Sequence, residues 1–207
     1  MPDKRLAILV VLVAVLISSA FAQVNEVSVT VGRTFVSTQS IQNSTVSDSR
    51  LHFGNEESVA FNYGRLLKSH GIFGLSGELP VAIYPRMDLN TEQHGIPADI
   101  GALFITPSAR LNFFSGQGLS PWLSAGGGYG RFREAPRLNF FGTNPGPTGT
   151  NTGVIQFGMG LDAWPWQRWG IRTEARDFYS GVPALNLSTG RSRQHNYYVG
   201  IGVIRRF

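Results

Sequence analysis

From Asn196 to Phe207 the chain alternates between two environments. Tyr197, Val199, Ile201, Val203 and Phe207 share one parity; Tyr198, Gly200, Gly202, Ile204 and Arg206 share the other. Successive side chains of a strand point to opposite faces, so the pattern predicts a strand with two different surroundings. The same period of two recurs and predicts eight strands, at residues 26–35, 58–67, 72–84, 102–114, 121–133, 154–164, 169–179 and 196–207. In the first, Val27, Val29 and Val31 oppose Ser28, Thr30 and Gly32; in the sixth, Ile155, Phe157, Met159 and Leu161 oppose Gln156, Gly158, Gly160 and Asp162. Each segment is near the roughly 9–11 residues with which a tilted strand crosses a bilayer.

The connections discriminate further. Long polar segments follow strands one, three, five and seven (36–57, 85–101, 134–153, 180–195), and short turns follow strands two, four and six (68–71, 115–120, 165–168). A soluble sandwich has no reason to gather every long loop at one end, whereas a membrane barrel does. The expected fold is therefore all-β: an eight-stranded antiparallel up-and-down transmembrane β-barrel with four long extracellular loops and three short periplasmic turns. Glycines at inward parity, such as Gly158, Gly160, Gly200 and Gly202, suit a narrow barrel whose interior is filled by long opposing side chains.

The amino terminus agrees with an envelope destination. Lys4 and Arg5 precede an apolar run of 12 residues, 6–17, and then Ala20-Phe21-Ala22. This predicts a cleaved secretory signal peptide at 1–22 and a mature barrel at 23–207. Mean hydropathy is −0.03, as expected where lipid-facing and lumenal residues cancel. The chain has no cysteine, which excludes disulfides and thiolate sites. Beyond residue 22 there are 16 basic and 12 acidic residues, and Lys68 is the one lysine among them. These charges are scattered along an exported chain, which argues against a nucleic-acid partner and for arginines at membrane rims and inside a barrel.

Three stretches carry a family likeness: the Gly-rich strand at 153–162, the strand Trp169-Gly-Ile-Arg-Thr-Glu-Ala-Arg-Asp-Phe-Tyr179, and the ending Gly200-Ile-Gly-Val-Ile-Arg-Arg-Phe207. With them the mature chain resembles the OmpA-like eight-stranded outer-membrane β-barrels of bacteria. The resemblance implies contact with outer-membrane lipids and lipopolysaccharide. It also implies that the outer-membrane assembly machinery reads the last strand through Tyr197, Val199, Ile201, Val203 and Phe207. Arg205 departs from the apolar pattern of that face. No peptidoglycan-binding domain is expected after the last strand.

Candidate chemistry centres on Arg172, Glu174 and Arg176, which share one face of the seventh strand. Lipid does not tolerate such charges at mid-depth, so they are expected inside, with Glu78, Arg110 and Asp162 at the same parity. Buried charges persist only when paired. The group is expected to form a lumenal network that plugs the barrel; a narrow ion path or an acid–base pair are the alternatives. Trp122, Trp164, Trp166 and Trp169 lie beside predicted periplasmic turns and are expected to form an aromatic girdle there.

A lipid-acyl hydrolase would need a serine beside a histidine and an orienting carboxylate. His195 with Ser192 and either Glu134 or Asp177 is the one combination available, without a strand spacing that pairs them. No catalytic residues are assigned. His52, His70 and His94 fall in separate connections, so neither metal nor cofactor is expected. The segment 139–151, rich in Gly, Pro, Asn and Thr and carrying Phe140 and Phe141, reads as a mobile, solvated loop. The expected function is non-enzymatic: an envelope scaffold or surface-contact protein with an extracellular ligand at its loops. A small-solute or ion channel and a lipid A-modifying enzyme are the alternatives.

Overall fold

Period-two alternation is realised in the computed structural model as strands β1 (Asn25–Val36), β2 (Gln39–Ser40), β3 (Arg50–Phe53), β4 (Glu56–His70), β5 (Phe73–Asn90), β6 (Asp99–Ile105), β7 (Ser108–Phe113), β8 (Leu119–Glu134), β9 (Thr150–Ala163), β10 (Trp169–Gly181) and β11 (Arg193–Arg206). The structure describes residues 24–44 and 46–207, so the predicted signal peptide lies outside the described residues. Every pairing is antiparallel, and β1 pairs with both β4 and β11, so the sheet closes on itself. With β6 and β7 counted as one wall position, the ring has eight strands. Closure satisfies every strand edge, a requirement where no water is available to do so.

The fourth expected strand is interrupted. Pro107 has no N–H to give to a ladder, and the wall breaks at Thr106–Pro107 between β6 and β7. Neighbours bridge the break, with Thr106 N donating to Pro80 O at 3.1 Å and Gly127 N to Pro107 O at 3.2 Å. Other strands run farther than the alternation suggested. β5 continues to Asn90 through a register shift between Tyr84 and Met87, after which Met87 and Leu89 face inward. Below the shift Leu79, Val81 and Ile83 face outward, so the apolar parity inverts where the strand leaves the lipid. A sequence pattern read for one phase stops at that inversion.

The outer wall carries a continuous apolar belt in which Val31, Phe157, Met159, Val199 and Ile201 are each more than half exposed. A belt of this kind is unstable against water and stable against acyl chains.

The loops do not hang free. β2 and β3 form a hairpin in the first loop, and β3 pairs with β5 through His52↔Asn90 and Phe53↔Leu89. Gln42 N donates to Ser188 O at 2.8 Å, joining the first loop to the fourth; Asn139 N donates to Ile96 O at 2.9 Å, joining the third to the second. Asn186 ties the fourth loop to both others, donating to Asn144 Oδ1 at 2.8 Å and Gly95 O at 2.9 Å. Beneath these bonds Ile41, Leu51, Phe53, Ile96 and Leu185 are buried together. The segment 139–151 is solvated over most of its length, as expected, but it is tied to its neighbours. Its start belongs to a small hairpin, with Arg137 bridged to Thr143 and Gly142 at φ 96°, a left-handed turn that glycine adopts without strain. Composition marked the turn; the anchoring comes from other loops.

Candidate functional site in the barrel lumen

β10 sets the site. Its inward positions place Arg172, Glu174 and Arg176 one above another, each nearly inaccessible to solvent. Arg172 meets Asp162 of β9, the residue registered directly beside it. Arg176 spans the lumen, its Nη1 2.9 Å from Glu78 Oε1 of β5 and its Nε 2.8 Å from Glu174 Oε2. Arg110 of β7 donates to Glu26 of β1 and lies 3.7 Å from Glu78. The six residues singled out by parity therefore meet in one cluster.

Two members were missed. Glu26 links Arg110 to Arg206, whose Nε is 2.9 Å from Glu26 Oε1, making four carboxylates and four guanidiniums. Glu26 shares the parity of Ser28 and Thr30, and Arg206 that of Gly202, so alternation held the signal. Neutral groups complete the shell. Thr30 donates to Glu174 Oε1 at 2.5 Å, Asn62 donates to the same oxygen at 3.3 Å, and Tyr198 Oη lies 2.8 Å from Thr30 Oγ1. Dense pairing of this kind offsets the desolvation of buried charge.

The girdle expectation needs correction at two of its four tryptophans. Trp122 points into the lumen, 1% exposed, and donates its indole N–H to Asp162 Oδ1 at 3.2 Å. The guanidiniums of Arg172, Arg176 and Arg110 lie 5.2, 5.0 and 5.8 Å from its ring centre. An indole supplies both a donor for the carboxylate and a π-face for the cations. It fits because a Cβ at Gly160 would stand 2.4 Å from its ring. Its parity with Ser124 had already indicated the inward face; proximity to a turn was the weaker guide. Trp164 is half-buried, with the Arg206 guanidinium 3.4 Å from its ring centre, so it belongs to the floor of the network. Trp166 and Trp169 are exposed at the turn end, where Arg205 lies over Trp169 at 5.3 Å.

Above the charges the lumen turns apolar. Phe104 stacks on Phe178 at 5.0 Å and meets Phe132 and Tyr84 edge-on at 5.8 and 6.0 Å. All four rings are buried, and Asn196 and Ser180 satisfy one another beside them. Sequence reading passed over this layer because Phe is expected outside a barrel; the enclosing cap is what buries it.

The hydrolase combination does not assemble. His195 Nδ1 is 2.7 Å from Asp177 Oδ2 on the outer wall. Glu134 faces inward, accepting from Thr150 Oγ1 at 2.5 Å and Ala184 N at 2.9 Å. Among the described residues no hydrogen bond joins Ser192 to His195. Tyr197, Val199, Ile201, Val203 and Phe207 form an exposed apolar row on β11 and the chain end.

The sequence matches no family profile and no curated protein. Solved structures share the fold. OprG of Pseudomonas aeruginosa aligns with a TM-score of 0.53 at 10% identity, covering 90% of this chain and 96% of that one. The outer membrane protein AlkL, determined in DMPC bilayers, aligns at 0.52 and 13%, covering 92% and 93%. Ail, the attachment invasion locus protein of Yersinia pestis, in complex with the heparin analogue sucrose octasulfate, aligns at 0.51 and 12%, covering 90% and 100%. At these identities the likeness is one of fold: the chain is built as an outer-membrane β-barrel.

Proposed function

We propose that this outer-membrane-type barrel is a non-enzymatic envelope scaffold or surface-contact protein that presents its loop cap to the outside. The observation that carries the reading is the filling of the lumen at two levels, by the ion network around Trp122 and by the Phe104–Phe132–Phe178 layer above it. A filled lumen leaves little for a transport path to use, and the loop cap is the surface left for recognition. The attachment protein Ail, with its bound heparin analogue, is a relative in fold whose name fits the same reading. In this reading residues 1–22 direct export, the row Tyr197, Val199, Ile201, Val203 and Phe207 serves the assembly machinery, and the apolar belt sits among outer-membrane lipids and lipopolysaccharide.

The test is conductance of refolded 23–207 in a planar bilayer beside a cell- or phage-binding assay. A silent, correctly inserted barrel that loses binding when 138–142 is replaced by a Gly-Ser turn supports the reading. Reproducible conductance steps from the wild-type barrel would overturn it in favour of a channel.

A further inference from the structure

Above the lumen the cap presents a surface without charge. From residue 138 to 153, and again from 182 to 190, the chain carries no Asp, Glu, Lys, Arg or His. Asn, Thr, Ser, Gly and Pro make up most of these residues, and Phe140, Phe141 and Leu187 are the exposed large apolar ones. The two stretches are joined, since Asn186 donates to Asn144 Oδ1 at 2.8 Å. Arg137, at the root of the third loop, faces a carboxylate, its Nη2 lying 3.8 Å from Asp99 Oδ2.

Phe141 stands at the tip of this surface, 87% exposed and without a ring contact among the described residues. The chain that carries it is held. Leu138 N donates to Gly142 O at 3.1 Å, Arg137 is bridged to Thr143, and Asn139 Nδ2 donates to Gln93 O of the second loop at 3.2 Å. Phe140 packs on His94 with ring centres 4.3 Å apart, which leaves Phe141 as the free ring of the pair. The turn is ordered before any ligand arrives, so contact at Phe141 starts from a preorganised platform.

We infer that Phe141 is the stacking platform of a site for a neutral oligosaccharide built from pyranoses with equatorial hydroxyls. This rests on the surface-contact reading above and names the chemistry of its partner. The face of an aromatic ring is electron-rich. Such a pyranose offers that face a layer of slightly positive C–H hydrogens, and its hydroxyl rim needs neutral donors and acceptors beside the ring. Exposed Thr143 and Thr148 and the backbone of the Gly142 turn supply groups of that kind. A polyanion needs free cations instead, and the arginine at hand is already set against Asp99. Protein hot spots favour arginine beside their aromatic anchors, and the same observation counts against a protein partner.

The experiment is calorimetric titration of refolded 23–207 in nanodiscs with cellohexaose, maltohexaose and lacto-N-neotetraose, beside sucrose octasulfate. At least one neutral sugar should bind, with an affinity that is the same at low and high salt, because no charge is there to be screened. Phe141→Ala should weaken it about tenfold, and Phe141→Trp, which keeps an aromatic face, should preserve it. Heat-modifiable gel mobility verifies that each variant is folded. Silence from all three neutral sugars, binding of sucrose octasulfate alone, or indifference to Phe141→Ala overturns the site. If no sugar binds but Phe141→Ala still abolishes attachment to cells, the tip docks on a protein or lipid surface; the sugar site falls and the surface-contact reading stands. Loss of neither sugar nor cell binding on replacing 138–142 overturns both.

Discussion

Arg172 grips Asp162 through two parallel hydrogen bonds, Nε to Oδ1 and Nη2 to Oδ2, each 2.7 Å long. The pair ties β10 to β9 and orients the carboxylate so that Oδ1 also accepts the Trp122 indole N–H. Removing one partner strands the other charge in the lumen. Asp162→Ala and Arg172→Ala should each destabilise the barrel by about 3 kcal/mol, and the double variant should cost clearly less than their sum. Urea unfolding of refolded protein in vesicles measures the cycle; full additivity would show that the two side chains do not act as a pair.

Trp122 and the exposed tryptophans should separate spectroscopically. In single-tryptophan variants Trp122 should emit to the blue and resist both acrylamide and brominated lipid, being enclosed by protein. Trp166 and Trp169, both exposed at the turn end, should be quenched. Strong lipid quenching of Trp122 would place it in the girdle that its nearness to a turn had suggested.

The two lumenal layers predict a conditional conductance. Glu174→Ala disturbs the ion network while the aromatic layer above remains closed, and Phe178→Ala opens the layer while the network remains. Each variant alone should stay electrically silent, and Phe178→Ala should cost about 3 kcal/mol of stability through the cavity it leaves. Steps should appear only in the double variant, recorded in planar bilayers.

The cap should loosen as a unit when its hub is lost. Asn186 has φ 63° and donates to both Asn144 and Gly95. Asn186→Gly keeps the left-handed backbone and removes only the side-chain bonds. Hydrogen exchange should then accelerate at the Asn139 and Gln42 amides, which bridge loops, and remain slow in β10.

Much of this molecule was already written in its period-two alternation. A strand side chain has two choices of side, and lipid on one side with a packed lumen on the other makes parity decisive. Hence the eight wall positions, the closed antiparallel ring and the inward charges of Arg172, Glu174 and Arg176 followed from the chain alone. Parity also held Glu26 and Trp122, although nearness to a turn drew Trp122 to the wrong face. What the tertiary structure alone decided is contact: parity assigns a side, but the partner at a given height depends on how far neighbouring strands are staggered. That stagger brings Glu78 of β5 to Arg176 of β10 and leaves Arg206 to Glu26. Beyond the register shift in β5 the alternation inverts its meaning, so Met87 and Leu89 turn inward, while Phe104 is buried at an inward position of β6. The loops have no period to read. Ile41, Ile96 and Leu185 are buried because three separate loops close over one another, a relation that exists only in three dimensions.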